Sequence, residues 1–293
     1  MDDLFPPFAP DANEPRPRRF KPVPFRMIAP NMITLMALCL GLTAIRLAFE
    51  GKFEPAVIAI VAAAFLDGID GRVARMLKGT SRFGAELDSL ADFVNFGCAP
   101  ALILYGFALK ELKSVGWIVA LVFAIAMALR LARFNAMLDD PNRPAWKKDF
   151  FVGMPAPAGA LTVLLPLYLH FLGLPLERWA APVVLGYMLC IALLVVSTVP
   201  TFSGKTVGKR VPREAVLPIF LLGVVAFGLL IAYPFEAMVA LALGYLVTLP
   251  IGAAQYRRRA KSEAKGEALA AARPPALDDR DPGGSERDRA VDS

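Results

Sequence analysis

The chain has 293 residues, 56% of them hydrophobic, and a mean hydropathy of +0.52. That composition excludes an ordinary soluble domain and implies an integral membrane protein. The net charge of +6 reflects basic residues that flank apolar stretches instead of gathering on one soluble face, which points to anionic membrane lipid and excludes a nucleic-acid partner.

Residues 1–29 are rich in proline and arginine. They read as a cytoplasmic basic juxtamembrane segment with no apolar core of a cleavable signal peptide, and a short interfacial helix is expected over 20–28. Apolar stretches of membrane-spanning length follow at 31–49, 55–76, 83–109, 115–138, 156–172, 179–199, 215–233 and 237–254. The expected fold is therefore all-α, a polytopic membrane helical bundle of about eight transmembrane helices filling a domain from 30 to 255. Residues 256–293 hold almost no large apolar side chain and read as a disordered cytoplasmic tail, anchored at the membrane face through 256–259.

Alternate loops differ in basic content. Arg16, Arg18, Arg19, Lys21 and Arg26 precede the first span; Arg72, Arg75, Lys78 and Arg82 surround the second loop; Arg130, Arg133, Arg143, Lys147 and Lys148 the fourth; Lys205, Lys209, Arg210 and Arg213 the sixth. The opposite loops carry only Lys52, Lys110, Lys113 and Arg178. By the positive-inside rule both termini are expected in the cytoplasm.

Across the second and third spans runs the pattern D-x2-D-G-x2-A-R-x8-G-x3-D-x3-D, formed by Asp67, Asp70, Gly71, Ala74, Arg75, Gly84, Asp88 and Asp92. An acid near the middle of a spanning helix costs ~2.5–3.5 kcal/mol on insertion scales, so four of them mark a functional site. At 1.5 Å per residue the apolar run 55–66 rises ~18 Å of a ~30 Å hydrocarbon core, which leaves Asp67 and Asp70 in the cytoplasmic leaflet. Counted inward from Arg82, Asp88 lies ~9 Å and Asp92 ~15 Å deep, so the two helices can present all four carboxylates to one point. Asp67, Asp70, Gly71 and Ala74 share one helical stripe, and Gly84, Asp88 and Asp92 another. The small residues leave room for a ligand or a close helix approach. The competing reading makes the glycines helix-packing residues and pairs the acids with Arg72, Arg75 and Arg82.

These residues resemble the CDP-alcohol phosphatidyltransferase family, whose signature is matched at every specified position from Asp67 to Asp92. The resemblance implies that Asp67, Asp70, Asp88 and Asp92 hold two divalent ions, Mg2+ or Mn2+. It further implies that Gly71, Ala74 and Arg75 accommodate a cytidine diphosphate, and that Asp92 is the catalytic base. Asn31 and Thr34, in Pro30-Asn31-Met32-Ile33-Thr34, look like the family's first-helix nucleotide contacts, and Ser81, just before Gly84, like its hydroxyl contact. The chemistry is coherent: paired ions clamp the attacking and leaving oxygens of a diphosphate, oxygen ligands suit hard cations, and an alcohol needs a base to take its proton.

The stretch 128–135, containing Arg130, Arg133 and Asn135, resembles the family's phosphatidylserine synthase branch, as do 149–157 and 197–202. This branch implies transfer from CDP-diacylglycerol to L-serine, with phosphatidylserine and CMP as products, and a homodimer. A guanidinium fork at Arg130 or Arg133 suits a carboxylate or phosphate, with Asn95 and Asn135 as further polar contacts; the alternative is that both arginines merely anchor the helix end at the interface. A sister enzyme acting on glycerol 3-phosphate, inositol phosphate or choline stays open. A cation transporter is the reading of another class, opposed by the confinement of the acids to one leaflet.

The remaining features are quieter. Cys39, Cys98 and Cys190 fall inside apolar spans and act as small hydrophobes. His170 falls near the far end of the fifth span, across the membrane from the aspartates, and Trp117, Trp146 and Trp179 read as interfacial anchors. Gly204-Lys205-Thr206 lacks the glycine-rich half of a phosphate loop and reads as a basic interfacial loop.

Overall fold

A computed structural model describes residues 25–77, 79, 81–138, 150–176, 180–197, 200–202 and 213–250. The expectations for the N-terminal segment up to residue 24, for Trp146 and Trp179, for 204–206 and for the tail lie outside the described residues.

The described residues are almost entirely helical. Helix α1 (Phe25–Phe49) turns at Gly51, whose φ of +72° only glycine adopts freely, into α2 (Phe53–Met76). Ala37, Ala44 and Ala48 of α1 and Ala56, Ala59 and Ala63 of α2 are buried, so the hairpin closes on small side chains, as helix pairs in lipid do. Helix α3 (Arg82–Asp92) begins at Ser81, whose Oγ accepts the Gly84 N–H at 3.0 Å. It continues through a π-helical segment (Phe93–Cys98) into α4 (Ala99–Phe107).

The π segment has a local cause. Pro100 has no N–H to give to the carbonyl of Phe96, and its ring crowds that carbonyl, so the ladder widens upstream; the Ala99 N–H bonds back to Val94 O, five residues away.

A 3-10 turn (Leu109–Leu112) leads to α5 (Lys113–Leu138), which packs on α4, the π segment and a later helix, α8 (Ala181–Val196). The stretch expected as a fifth span is broken into α6 (Ala156–Val163) and α7 (Leu165–Phe171). Pro166 cannot donate to the Thr162 carbonyl. Tyr187 Oη donates there at 2.6 Å, and Tyr168 Oη donates to Leu161 O at 2.9 Å, so both carbonyls at the break are satisfied where water is scarce. Helices α9 (Arg213–Ala232) and α10 (Pro234–Pro250) follow. The all-α class holds, with one three-residue ladder between connecting segments: β1 (Phe150–Val152) pairs antiparallel with β2 (Pro200–Phe202), Phe151 standing opposite Thr201.

Among the described residues three helical rods are long and apolar enough to cross a membrane: Ile28–Phe49, Arg82–Phe107 and Leu109–Met137. Shorter apolar helices are Ala181–Val196, Val216–Ala232 and Pro234–Pro250. Helix α2 has the length but not the apolarity, since every 18-residue stretch of it contains Asp67, Asp70 and either Glu54 or Arg72. The core lies among α4 to α8, around Phe96, Phe123, Met127, Leu167 and Met188, while Phe65, Leu90, Leu129 and Leu193 face outward. Such an apolar exterior suits lipid. His170 sits at the end away from the aspartates, its ring 5.0 Å from that of Phe107, and Trp117 lies edge-on to Tyr105 at 5.2 Å.

Candidate active site

Helices α1, α2 and α3 enclose a cleft. Asn31 and Thr34 reach it from α1, Asp70, Gly71, Ala74 and Arg75 from α2, Ser81, Gly84 and Asp88 from α3 and its cap. Every nucleotide contact expected from the sequence is therefore on one wall or another of a single cavity. Pro30, Gly79 and Ala85 also line it. A Cβ at Gly84 would stand 2.8 Å from Asn31 Oδ1 and 3.1 Å from Ser81 Oγ, so a side chain there would displace the Asn31 carboxamide and crowd the Ser81 hydroxyl. The Arg75 guanidinium lies above Gly71, 3.5 Å from where a Cβ would be.

At the inner end of the cleft Asp67, Asp70 and Asp88 bring one carboxylate oxygen each to within 4.8 Å of one another. Asp70 is almost wholly buried, and the Thr34 hydroxyl, 2.8 Å from its Oδ2, holds it in place; the same hydroxyl is 3.1 Å from Pro30 O. Thr34 thus acts on an acid as well as lining the cleft. Asp92 lies one helical turn deeper, in hydrogen-bonding contact with Asp67, and its Oδ1 is buried with no protein partner. Among the described residues no ion pair joins Arg72, Arg75 or Arg82 to these acids; the ion pairs are Arg46–Glu50 and Lys52–Glu50 in the α1–α2 turn. Four closely spaced carboxylates without such pairing, one with an orphaned buried oxygen, fit a hard divalent cation.

Beyond Asp67 and Asp92 stands Arg130 of α5, 8% exposed, its guanidinium carbon 5.5 Å above the Phe134 ring. Its charge is felt at both acids. Tyr245 of α10 neighbours it, a residue that no motif or spacing singles out. Arg133 turns elsewhere: its Nη1 donates to Val196 O at 2.6 Å and its Nη2 to Ser197 O at 3.1 Å. Asn135 donates through Nδ2 to Ser89 Oγ at 2.9 Å, which ties α5 to α3. The buried Asn95 carboxamide lies against Gly41 of α1 in the π segment, so close that no side chain fits at position 41.

The acids thus form a row with two sides. Asp70 and Asp88 line the cleft, and Asp67 and Asp92, which do not, lie within the field of the Arg130 charge.

Comparison with known proteins agrees with this geometry. A model described as CDP-alcohol phosphatidyltransferase matches residues 27–199, spanning α1 through α8, and a second, CDP-alcohol phosphatidyltransferase 2, matches 214–250. The chain belongs to the CDP-alcohol phosphatidyltransferase family. It is 41% identical over 240 residues to the CDP-diacylglycerol–serine O-phosphatidyltransferase of Mycobacterium leprae (strain TN), covering 80% of this chain and 77% of that protein. The Helicobacter pylori (strain J99) protein of the same name is 36% identical over 215 residues, 71% of this chain and 84% of its own length. The Mycobacterium tuberculosis (strain H37Rv) protein, also so named, reaches 53% over 146 residues, about half of each chain. CDP-alcohol phosphatidyltransferases depend on a divalent metal, and the triad of Asp67, Asp70 and Asp88 is a cluster that could hold one.

Proposed function

We propose that this chain transfers the phosphatidyl group of CDP-diacylglycerol to L-serine, releasing CMP and forming phosphatidylserine. The observation that carries the reading is the two-sided row of acids, with a cleft for the nucleotide on one side and a buried arginine on the other. The names of the relatives support serine as the acceptor.

In this reading Asn31, Thr34, Gly71, Ala74, Arg75, Ser81 and Gly84 hold the cytidine diphosphate, the glycines by allowing close backbone approach. Asp67, Asp70, Asp88 and Asp92 hold the divalent cations, two in number, Mg2+ or Mn2+. Bound there, such ions neutralise the diphosphate and stabilise the attacking and leaving oxygens. Asp92 is the residue to take the hydroxyl proton of serine, because it lies deepest and on the side of Arg130. Arg130 holds the serine carboxylate through its planar fork, with the Phe134 ring 5.5 Å from its guanidinium carbon. A bond forms between the serine hydroxyl oxygen and the phosphorus of the phosphatidyl group, and the bond from that phosphorus to CMP breaks.

The reading extends to a homodimer with about eight spans, both termini cytoplasmic and the active site in the cytoplasmic leaflet, consistent with the asymmetry of basic loops. The test is CMP release by purified protein in detergent with CDP-diacylglycerol and Mg2+ or Mn2+, comparing L-serine with glycerol 3-phosphate, inositol phosphate and choline. Release with serine alone is expected. Release with another acceptor instead would keep the acidic row and overturn the role of Arg130; metal flux into proteoliposomes without CMP release would make the chain a transporter.

A further inference from the structure

Arg130 and Arg133 are one turn apart on α5, yet they do different things. The terminal nitrogens of Arg133 are occupied by Val196 O and Ser197 O, carbonyls at the very end of α8. Carbonyls in the last turn of a helix have no following N–H to receive, and near lipid water does not replace it. Ser197 Oγ completes the end by donating to Leu194 O at 2.7 Å. A third segment meets at the same point. Gly153, at φ +79°, follows β1, and a Cβ on it would lie 2.7 Å from Ser197 O and 3.0 Å from Arg133 Nη2. The β1–β2 ladder closes beside this junction, with Val152 opposite Pro200. Met154, the next residue after Gly153, is buried and reaches toward Gly159 of α6, which in turn packs against Met127 of α5.

We infer that Arg133 is a positioning residue: a latch that joins α5, the end of α8 and the Gly153 turn, and so fixes Arg130 beside Asp67 and Asp92. This rests on the reading of Arg130 as the acceptor contact and divides the labour of the two arginines. One guanidinium ties the end of α8 to α5, with the Gly153 turn packed against the same junction, so a change at any of the three segments bears on the helix end that carries Arg130.

The test is a double-mutant cycle on the full chain in detergent, with CMP release measured against acceptor concentration for Arg133→Ala, Gly153→Ala and the pair. Each substitution breaks the same latch, one by removing the donors and the other by forcing a side chain between the carbonyl and the guanidinium. Loss of hydrogen bonds from a charged donor predicts a ~10-fold fall in kcat for either single variant, and no further fall beyond ~3-fold for the pair, because contacting residues do not act additively. Without the latch the Arg130 guanidinium still binds the carboxylate but misaligns the hydroxyl, so the apparent KM for the acceptor stays within ~3-fold while kcat falls, and Arg133→Lys, which keeps the charge and can reach one carbonyl, recovers part of kcat. By contrast Arg130→Ala raises the acceptor KM by ~10-fold or more. A selective rise in acceptor KM for Arg133→Ala at unchanged kcat, or effects that multiply in the double variant, would overturn the latch. Should Arg133→Ala not be recovered folded, Arg133→Lys replaces it in the cycle. If the wild-type chain turns over a different acceptor, the serine reading fails, and the same cycle run with that acceptor still decides the latch.

Discussion

Replacing Thr34 with valine removes one hydroxyl and almost no volume, and the structure says where the effect should fall. Thr34 and Asp70 are each about 5% exposed or less, and the hydroxyl is 2.8 Å from Asp70 Oδ2. A hydrogen bond to an ionised acceptor contributes ~1.5–3 kcal/mol, and each ~1.4 kcal/mol is tenfold in an equilibrium constant, so losing it should weaken metal binding ~10- to 100-fold. The same range is typical when a group that orients a metal ligand is removed. The assay is CMP release titrated with Mn2+, with direct binding followed by the EPR signal of free Mn2+. Thr34→Val should shift both half-saturation points upward by the same factor, while the rate at saturating metal approaches that of the wild type; its place in the cleft adds a rise in the CDP-diacylglycerol KM. An unchanged metal titration with a raised CDP-diacylglycerol KM would refute the reasoning and make Thr34 a contact of the nucleotide alone.

Gly84→Ala should raise the CDP-diacylglycerol KM, by up to ~10²-fold if α3 moves by an ångström, because its Cβ would push on Asn31 and Ser81; acceptor KM measured alongside should not change. Asp88→Asn and Asp92→Asn should each abolish CMP release while the protein is still recovered in the membrane fraction, and substantial residual activity in either would remove the acidic row from the mechanism. Gly41→Ala should act on stability: forcing a methyl against Asn95 overpacks the α1 interface at a cost of ~1–3 kcal/mol, seen as a lower melting temperature in detergent. Glu50→Gln is the control, since its carboxyl is held low by Lys52 and Arg46 but stands fully exposed at the opposite end of α1, where such pairs contribute little; turnover and melting temperature should both be unchanged.

The row of acids and the cleft beside it were legible in the sequence for a physical reason. Acids are costly in lipid, so their presence at 67, 70, 88 and 92 is informative, and regular α-helical phase relates each to its neighbours without knowledge of the packing. Helix α2 and the first turns of α3 keep that phase, and the residues expected around the nucleotide do share one cleft. Only the start of α1 differs: the helix runs back through Pro30 to Phe25, ahead of the expected boundary at 31, with the Thr34 hydroxyl on the Pro30 carbonyl.

The surroundings of Arg130, Arg133 and Asn95 were less legible because their geometry depends on breaks in that phase and on contacts far apart in the chain. Asn95 is three residues after Asp92, a step that in an α-helix nearly returns to the same face. The i→i+5 bonding from 93 to 98 widens the turn, so the step no longer returns there, and the carboxamide meets Gly41 on α1. The prolines at 100 and 166 were visible, but whether each would widen, kink or split its helix was decided by the bonding just upstream: the Ala99 N–H reaching back five residues to Val94 O ahead of Pro100, and the hydroxyls of Tyr168 and Tyr187 on the Leu161 and Thr162 carbonyls ahead of Pro166. Arg133 shows the same limit over a longer range. Its spacing from Arg130 is the same in either role, and what separates a ligand for substrate from a latch is the end of a helix 63 residues away. A local pattern can therefore name the groups able to bind an acceptor, whereas the choice among them is made by whichever carbonyls the rest of the fold leaves without a donor.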